Sequence, residues 1–203
     1  MDEIILIGSG GHARSCIDVI ETSGSFKIAG LVEKDKSSKN ENLGYKIIGT
    51  DQDLSKLRLK YEYALITVGQ IKSPKVRINL FNKLLKLDFK FPVITSPKAY
   101  VSKHSKISKG TIIMHGAIIN ANALIGENCI INNKVLVEHD AKIGNACHIS
   151  TGAIINGGVS IGKKTFIGSG VVSKENISIG SNCIIGSGVS LKENVSNNQK
   201  IKT

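Results

Sequence analysis

The chain has 203 residues, 41% of them hydrophobic, and a formal net charge of +11. This length suits one large or two small domains, and the hydrophobic content is that of a folded protein, which excludes a disordered chain. No apolar run exceeds five residues, far short of the ~20 that a membrane span needs. The acidic N-terminus leads directly into a strand-like run, so we expect no signal peptide and a cytoplasmic protein.

The positive charge predicts anionic partners such as phosphorylated small molecules. The chain has no Trp and only 4% aromatic residues, and its Lys/Arg blocks are no longer than two residues. Both features argue against a nucleic-acid binder, which needs aromatic side chains for base stacking. Four cysteines without a CxxC pattern fit a reducing compartment better than a disulfide or zinc framework.

The first half of the chain alternates strands and helices. We expect buried strands at residues 3–7, 27–32 and 63–68, helices at 12–23 and around 76–85, and then a further segment over residues 89–94. Such alternation predicts a parallel sheet with ligands at the carboxyl ends of its strands. We assign residues 1–94 to a Rossmann-like α/β domain and residues 95–203 to a second domain.

The second domain repeats every six residues. From Val101 to Leu191, fifteen of the sixteen positions six apart are aliphatic, which is typical of a hexapeptide parallel β-helix. Four glycines lie 18 residues apart, so three hexads make one triangular coil: Gly126, Gly144, Gly162 and Gly180. We expect these glycines at a corner whose backbone angles favour glycine.

Other positions of the hexad also carry information. Three cysteines occupy its small slot and predict core packing rather than metal or nucleophile roles: Cys129, Cys147 and Cys183. Several outward positions are apolar, too many for a fully solvated surface, which indicates that the prisms associate. These outward residues are Ile112, Ile118, Ile130, Leu136 and Ile154.

A triplet, Glu138-His139-Asp140, interrupts the apolar repeat. A carboxylate beside a histidine can orient the ring and raise its basicity, so His139 is a candidate general base. The alternative is a surface histidine beside solvated acids. His148 is the other polar residue that stands out in the repeat, whereas we expect surface roles for His104 and His115.

The turn Gly8-Ser9-Gly10-Gly11-His12-Ala13 follows a strand and opens a helix. Glu33 ends the next strand, about twenty residues later, as in a dinucleotide-binding fingerprint. Backbone N–H groups at such a helix N-terminus can hold a phosphate. The alternative is a plain tight turn.

Together, the GxGGHA turn, the short α/β domain, the hexapeptide prism and the VEHD…HIS…G segment resemble the NeuD/PglD family of sugar acetyltransferases. The resemblance implies a left-handed β-helix and a homotrimer with active sites between adjacent prisms. It implies acetyl-CoA as co-substrate, with no metal. It further implies an N-acetyltransferase acting on a UDP-4-amino-sugar in bacterial glycan biosynthesis. The alternatives are a sialic acid O-acetyltransferase and a non-catalytic scaffold that binds a nucleotide sugar.

The resemblance also implies roles for individual residues. His139 would be the base and Asp140 its support, while His148 would lie near the acetyl-CoA thioester with Gly157 in the same pocket. Asn132 would touch the sugar. The nucleotide would be bound by Gly10, Gly11, His12, Glu33, Lys34 and Gly69. The chain departs from the family where Lys34 replaces an acidic residue, and after the last coil, where the family's Gly-x-Pro-Ala-Lys tail is missing.

Overall fold

The computed structural model describes residues 1–35 and 41–202, beginning with an α/β domain. Its five strands are arranged in the order β3-β4-β2-β1-β5, and all pair in parallel except β3 with β4. The strands are β1 (Glu3–Ile7), β2 (Lys27–Glu33), β3 (Glu41–Asn42), β4 (Tyr45–Thr50) and β5 (Tyr63–Ile66). The helices are α1 (Gly11–Ser23), α2 (Leu54–Arg58) and α3 (Lys75–Lys86).

The rest of the chain forms a parallel β-helix whose coils place one short strand on each of three faces. Face 1 contains β6 (Ile94–Thr95), β9 (Ile112–Ile113), β12 (Ile130–Ile131), β15 (His148–Ile149), β18 (Phe166–Ile167), β21 (Ile184–Ile185) and β23 (Lys200–Ile201). Face 2 contains β7 (Tyr100–Val101), β10 (Ile118–Ile119), β13 (Leu136–Val137), β16 (Ile154–Ile155), β19 (Val172–Ser173) and β22 (Ser190–Leu191). Face 3 contains β8 (Lys106–Ile107), β11 (Leu124–Ile125), β14 (Lys142–Ile143), β17 (Ser160–Ile161) and β20 (Ser178–Ile179).

The predicted fold class, an α/β domain followed by a hexapeptide β-helix, is confirmed. The segment over residues 89–94 does not form one continuous strand: Lys90 makes a single parallel bridge with Tyr63, and Ile94–Thr95 is a strand that pairs with β9 of face 1. Pro92 explains this, because proline cannot donate a ladder hydrogen bond. The short elements β3, β4 and α2 were not predicted.

The core of the β-helix is a stack of the aliphatic residues that recur every six positions. Ile113, Ile131 and Ile149 lie one above another on face 1 and are fully buried. The three cysteines of the small slot are also fully buried in this cluster, which confirms their predicted core packing. Every coil therefore buries the apolar surface of the next.

The corners of the prism share one backbone conformation, the left-handed one. Every sixth residue from 110 to 188 has a positive φ, and the set includes Asn122, Lys134 and Ala146 as well as glycines. Left-handed backbone favours glycine and asparagine, which explains their recurrence in the repeat.

Our expectation for the glycines spaced 18 apart is wrong, because the positive-φ residues do not include them. The coils instead approach too closely at this column for a side chain. A Cβ on Gly144 would lie 2.7 Å from the backbone nitrogen of Lys163, and one on Gly126 would lie 2.7 Å from that of Asn145. These positions need glycine because of the neighbouring coil.

The α/β domain covers the part of face 1 that is formed by β6, β9 and β12. Ile112 and Ile130 are fully buried and belong to one cluster with Ile4, Leu6 and Ile17 of the first domain. We expected a neighbouring prism to cover these two outward isoleucines, but the α/β domain of the same chain covers them. The same contact fixes the position of the α/β domain against the prism.

Gly144→Ala should destabilise the protein, because the added Cβ would meet backbone atoms that cannot rotate away. Overpacking of this kind costs about 1–3 kcal/mol, which denaturant unfolding would measure. Gly11→Ala is the matched control, since nothing lies within 4 Å of a Cβ there. Equal stability of the two variants would contradict the close-approach explanation.

Candidate functional site

A cavity of about 670 Å³ lies at the carboxyl ends of β1, β2 and β5. This is the edge at which a parallel sheet binds its ligands. Five of the six residues expected to bind a nucleotide line it: Gly10, Gly11, His12, Glu33 and Gly69. The cavity also exposes Lys72 and Ile71, which the sequence motifs did not indicate.

The N-terminus of α1 opens into this cavity. Gly10 caps the helix with extended backbone, and within the described residues no side chain caps it and no acid occupies its first turn. A Cβ on Gly10 or Gly11 would meet nothing within 4 Å, so a ligand can approach the backbone. Free N–H groups and the helix dipole together favour an anion here.

Glu33 is fixed at the rim of the cavity. Its carboxylate accepts hydrogen bonds from the backbone N–H and the hydroxyl of Ser9. Lys34 points away into a neighbouring cavity of about 360 Å³, which Glu33 also borders. The Lys34 side chain is 86% exposed and pairs with Asp35 at 3.7 Å.

His148 lies at the junction between the two domains and is 6% exposed. Its Nδ1 donates to the carbonyl of Gln70, and its Nε2 accepts from the Asn132 side chain at 3.3 Å. These contacts describe a neutral imidazole, consistent with a pKa lowered to about 4, chiefly by burial. The ring of His12 lies 6.5 Å away, and burial lowers its pKa to about 3.

His139 occupies an exposed turn between faces 2 and 3. Asp140, the next residue, is the left-handed residue of this corner, with φ +61°. Its carboxylate bonds Nδ1 of His139 at 2.7 Å and accepts at 2.6 Å from Asn122 of the preceding coil. The hydrogen bond to Asp140 raises the pKa of His139, and the pKa of Asp140 is lowered in return. Among the described residues, no hydrogen bond occupies Nε2 of His139, which can therefore take a proton.

Gly157 lies beside the His139 ring, one coil further along the prism. A Cβ on Gly157 would be 2.8 Å from Nε2 of His139, so the glycine leaves room for the ring. We expected Gly157 in one pocket with His148. Within a single chain, it lies instead at the corner that carries His139, whereas His148 is on face 1.

The predicted residues thus form two groups. His148 and Asn132 adjoin the α/β domain and its cavity, whereas His139, Asp140 and Gly157 share the corner between faces 2 and 3. His115 differs from its expected surface role, because it bonds Ser96 at 2.6 Å and Asp18 of α1 at 2.8 Å.

A groove of about 590 Å³ runs along face 3. It is lined by the glycine column and by Lys106 and Lys142. In the sequence, the 18-residue spacing of the glycines is the feature that indicates this groove, although we interpreted the spacing only as a corner of the prism. Among the described residues, no three His, Cys, Asp or Glu side chains are grouped as metal ligands. Helices long and apolar enough to cross a membrane are likewise absent from the described part of the chain.

Residues 3–84 match the family model of the PglD N-terminal domain. The chain is similar along its full length to a mutant of perosamine N-acetyltransferase from Caulobacter crescentus, whose structure contains CoA and GDP-perosamine. The two are 27% identical, with 100% of this chain and 94% of that chain covered and a TM-score of 0.93. A comparison with curated proteins finds no match.

Two further structures share the fold. The acetyltransferase domain of PglB from Neisseria gonorrhoeae, in complex with acetyl coenzyme A, is 25% identical over 99% of this chain and 96% of that chain, with a TM-score of 0.91. WeeI from Acinetobacter baumannii is 20% identical over 98% of this chain and 96% of that chain, with a TM-score of 0.87. At that identity, WeeI supports the fold alone.

The buried His148 should make stability depend on pH. Its pKa is lowered in the folded state, so below pH 6.5 the unfolded chain binds a proton that the folded chain does not. The free energy of unfolding should therefore fall as the pH drops from about 6.5 towards 4, by on the order of 2 kcal/mol at pH 5 from this group. Thermal unfolding of His148→Gln between pH 7 and 5 should show a weaker decline than wild type, while the exposed His104→Gln should not. Parallel declines in all three proteins would refute this prediction.

Proposed function

We propose that the chain is an acetyltransferase of the NeuD/PglD family, since a PglD N-terminal domain is joined to a hexapeptide β-helix, and that it acetylates the amine of a UDP-linked 4-amino sugar. Acetyl-CoA is the proposed donor. The observation that carries this proposal is the hydrogen-bonded series Asn122–Asp140–His139 on an exposed corner. The relatives' acetyltransferase names support the same chemistry.

The proposed reaction is a direct acyl transfer. The sugar amine attacks the thioester carbonyl of acetyl-CoA, so a C–N bond forms and the C–S bond breaks. Nε2 of His139 takes the proton from the amine, while Asp140 holds Nδ1 and stabilises the imidazolium. The proton then passes to the departing CoA thiolate. The N–H of Gly157, beside the ring, is the proposed donor to the oxyanion.

The nucleotide would occupy the cavity of the α/β domain. Its phosphates would meet the N-terminus of α1 and Lys72, and Glu33 would accept from the ribose hydroxyls. Asn132 and His148 belong to the prism and adjoin this domain, and we propose that the sugar passes there. The C. crescentus relative was crystallised with a GDP-linked sugar, so the test includes GDP as well as UDP carriers.

The groove on face 3 is the proposed place for CoA. Its glycine column gives a smooth floor for the extended pantetheine arm, and Lys106 and Lys142 supply positive charge for the phosphates. This site adds to the earlier prediction that His148 and Gly157 contact the acetyl end of CoA. Of these two residues, Gly157 fits that prediction more directly than His148, because Gly157 is adjacent to the proposed base.

We also propose a homotrimer, from the apolar outer surface of face 2. A stripe of five residues runs along this face from coil to coil: Tyr100, Ile118, Leu136, Ile154 and Val172. Tyr100, Ile118 and Val172 are 59%, 41% and 37% exposed. A continuous apolar stripe of this kind marks an interaction surface. The His139 corner borders face 2, so a neighbouring prism seated there would complete the site.

His139→Ala tests the base. In an assay that follows CoA thiol release with UDP- and GDP-linked amino sugars and with sialic acid, kcat should fall by about 10²–10⁴-fold, the usual contribution of a general base. The melting temperature should be unchanged, because the side chain is 66% exposed. Full activity in the variant would remove His139 from the mechanism. Preference for sialic acid would establish O-acetylation instead.

Asp140→Asn is the matched variant for the same claim. Asp140 raises the pKa of His139, and the base must be deprotonated to act. Removing the carboxylate should therefore move the acid limb of the kcat–pH profile to lower pH, with a smaller loss of kcat than in His139→Ala. If the acid limb does not move, the contact between Asp140 and His139 does not set the pKa that limits kcat.

Ile118→Glu tests the trimer, because a carboxylate in the stripe would be buried without a partner in the assembled form. Sedimentation should show a trimer for wild type at micromolar concentration and smaller species for the variant. Leu59→Glu is the control, since Leu59 is 90% exposed in the α/β domain, outside the stripe. A monomeric wild type would overturn the proposal.

A further inference from the structure

A buried arginine connects the α/β domain with the prism. Arg77 of α3 is 1% exposed and donates to three backbone carbonyls. Its Nη1 binds the carbonyls of Ile66 at 2.6 Å and Val68 at 3.0 Å, and its Nε binds that of Asn128 at 3.2 Å. Ile66 ends β5 and Val68 lies two residues beyond it, whereas Asn128 is a left-handed corner residue of the prism.

A second link lies two residues further along the same segment. Gln70 is 2% exposed and its side-chain amide donates to the carbonyl of Ala146 at 2.9 Å. Ala146 is the left-handed residue of the same corner as Asn128, one coil later. His148 in turn donates to the carbonyl of Gln70. Residues 66–70 are thus held to two successive coils.

The segment held in this way is also a wall of the nucleotide cavity. Thr67, Val68 and Gly69 line the cavity, and the Thr67 hydroxyl donates to the carbonyl of Gly8 at 2.6 Å. Gly8 begins the turn that leads into α1. Arg77 thus joins the prism corner to residues 66–68, and Thr67 within that segment joins it to the turn that leads into α1.

Packing alone does not explain Arg77. Burial of a guanidinium carries a large desolvation cost, and an apolar side chain of similar volume often stabilises a protein more. Among the described residues, the partners of Arg77 are carbonyl oxygens rather than a carboxylate, and its Nη2 has no hydrogen-bond acceptor. The guanidinium provides a fixed fork of donors that can hold carbonyls from two domains at once.

We infer that Arg77 is a positioning residue, which fixes the nucleotide cavity of the α/β domain relative to the prism that carries the acetyl-transfer site. This inference rests on the proposed function for its kinetic consequence. The structural role of Arg77, which is to hold residues 66–70 in place, does not depend on the identity of the substrate.

The test compares Arg77→Met and Arg77→Lys with wild type. Arg58→Met is the matched control, because Arg58 also donates to a backbone carbonyl, that of Asp88 at 3.0 Å, but within the α/β domain alone. Hydrogen exchange should become faster at residues 66–70 in both Arg77 variants, with unchanged protection in the prism core. Gln70→Met removes the second link and should accelerate exchange in the same segment.

The kinetic readout separates positioning from general damage. The KM for the nucleotide sugar and the Kd for UDP or GDP should rise about tenfold, and kcat should fall by up to about 10²-fold, the cost of a misplacement near 1 Å. The KM for acetyl-CoA should stay at the wild-type value, and Arg58→Met should resemble wild type in every measurement.

Several outcomes would overturn the inference. These are unchanged exchange at residues 66–70, equal rises in KM for both substrates, or the same effects in Arg58→Met. If Arg77→Met does not fold, Arg77→Lys and Gln70→Met decide. If wild type acetylates no nucleotide sugar but its exchange and UDP or GDP binding depend on Arg77, the proposed function fails and the positioning role stands.

Discussion

The close contact between successive coils is the constraint on which the rest of the structure depends. At the glycine column the backbones approach so closely that a Cβ would meet the next coil at under 3 Å. From residue 110 to residue 188, a left-handed residue turns the chain at every sixth position. Each coil therefore has almost no freedom to shift, and side chains 18 residues apart are held in register.

At the His139 corner, this register lets neighbouring coils orient the side chain of the histidine. Asp140 receives a hydrogen bond from Asn122 of the coil before, and the His139 ring lies beside Gly157 of the coil after. Three consecutive coils thus orient one exposed imidazole without a buried pocket around it. The α/β domain is placed by the same scaffold, through the isoleucines of face 1 and the polar contacts at the junction.

The sequence was informative where a position depends on local pattern. The hexads predicted the β-helix, and the glycine turn with Glu33 predicted the cavity residues, because both follow from periodicity and short-range backbone geometry. The EHD triplet predicted a base and its support, and the structure brings these two side chains into contact, although their roles remain predictions.

Contacts between distant elements were harder to predict. Ile112 and Ile130 have the same place in the hexad as residues that face solvent, and only the docking of the α/β domain buries them. Arg77 lies on a helix with no motif, and its partners are backbone carbonyls, which no sequence pattern marks. His115 meets Asp18 only because α1 rests on the prism. In each case the partner lies many residues away in the chain.

The coil that contains Asn197 is shorter than the coils before it. Along the prism, Asn145 accepts from the N–H of Glu127 at a separation of 18 residues, whereas Asn197 accepts from that of Ser181 at a separation of 16. The last coil is thus two residues short, so a further 18-residue coil could not align with all three of its corners. Its exposed end also carries Lys192, Lys200 and Lys202. An open sheet edge invites pairing with another chain, and charge together with broken register opposes it. Both features at this coil therefore oppose pairing of its strands with another chain.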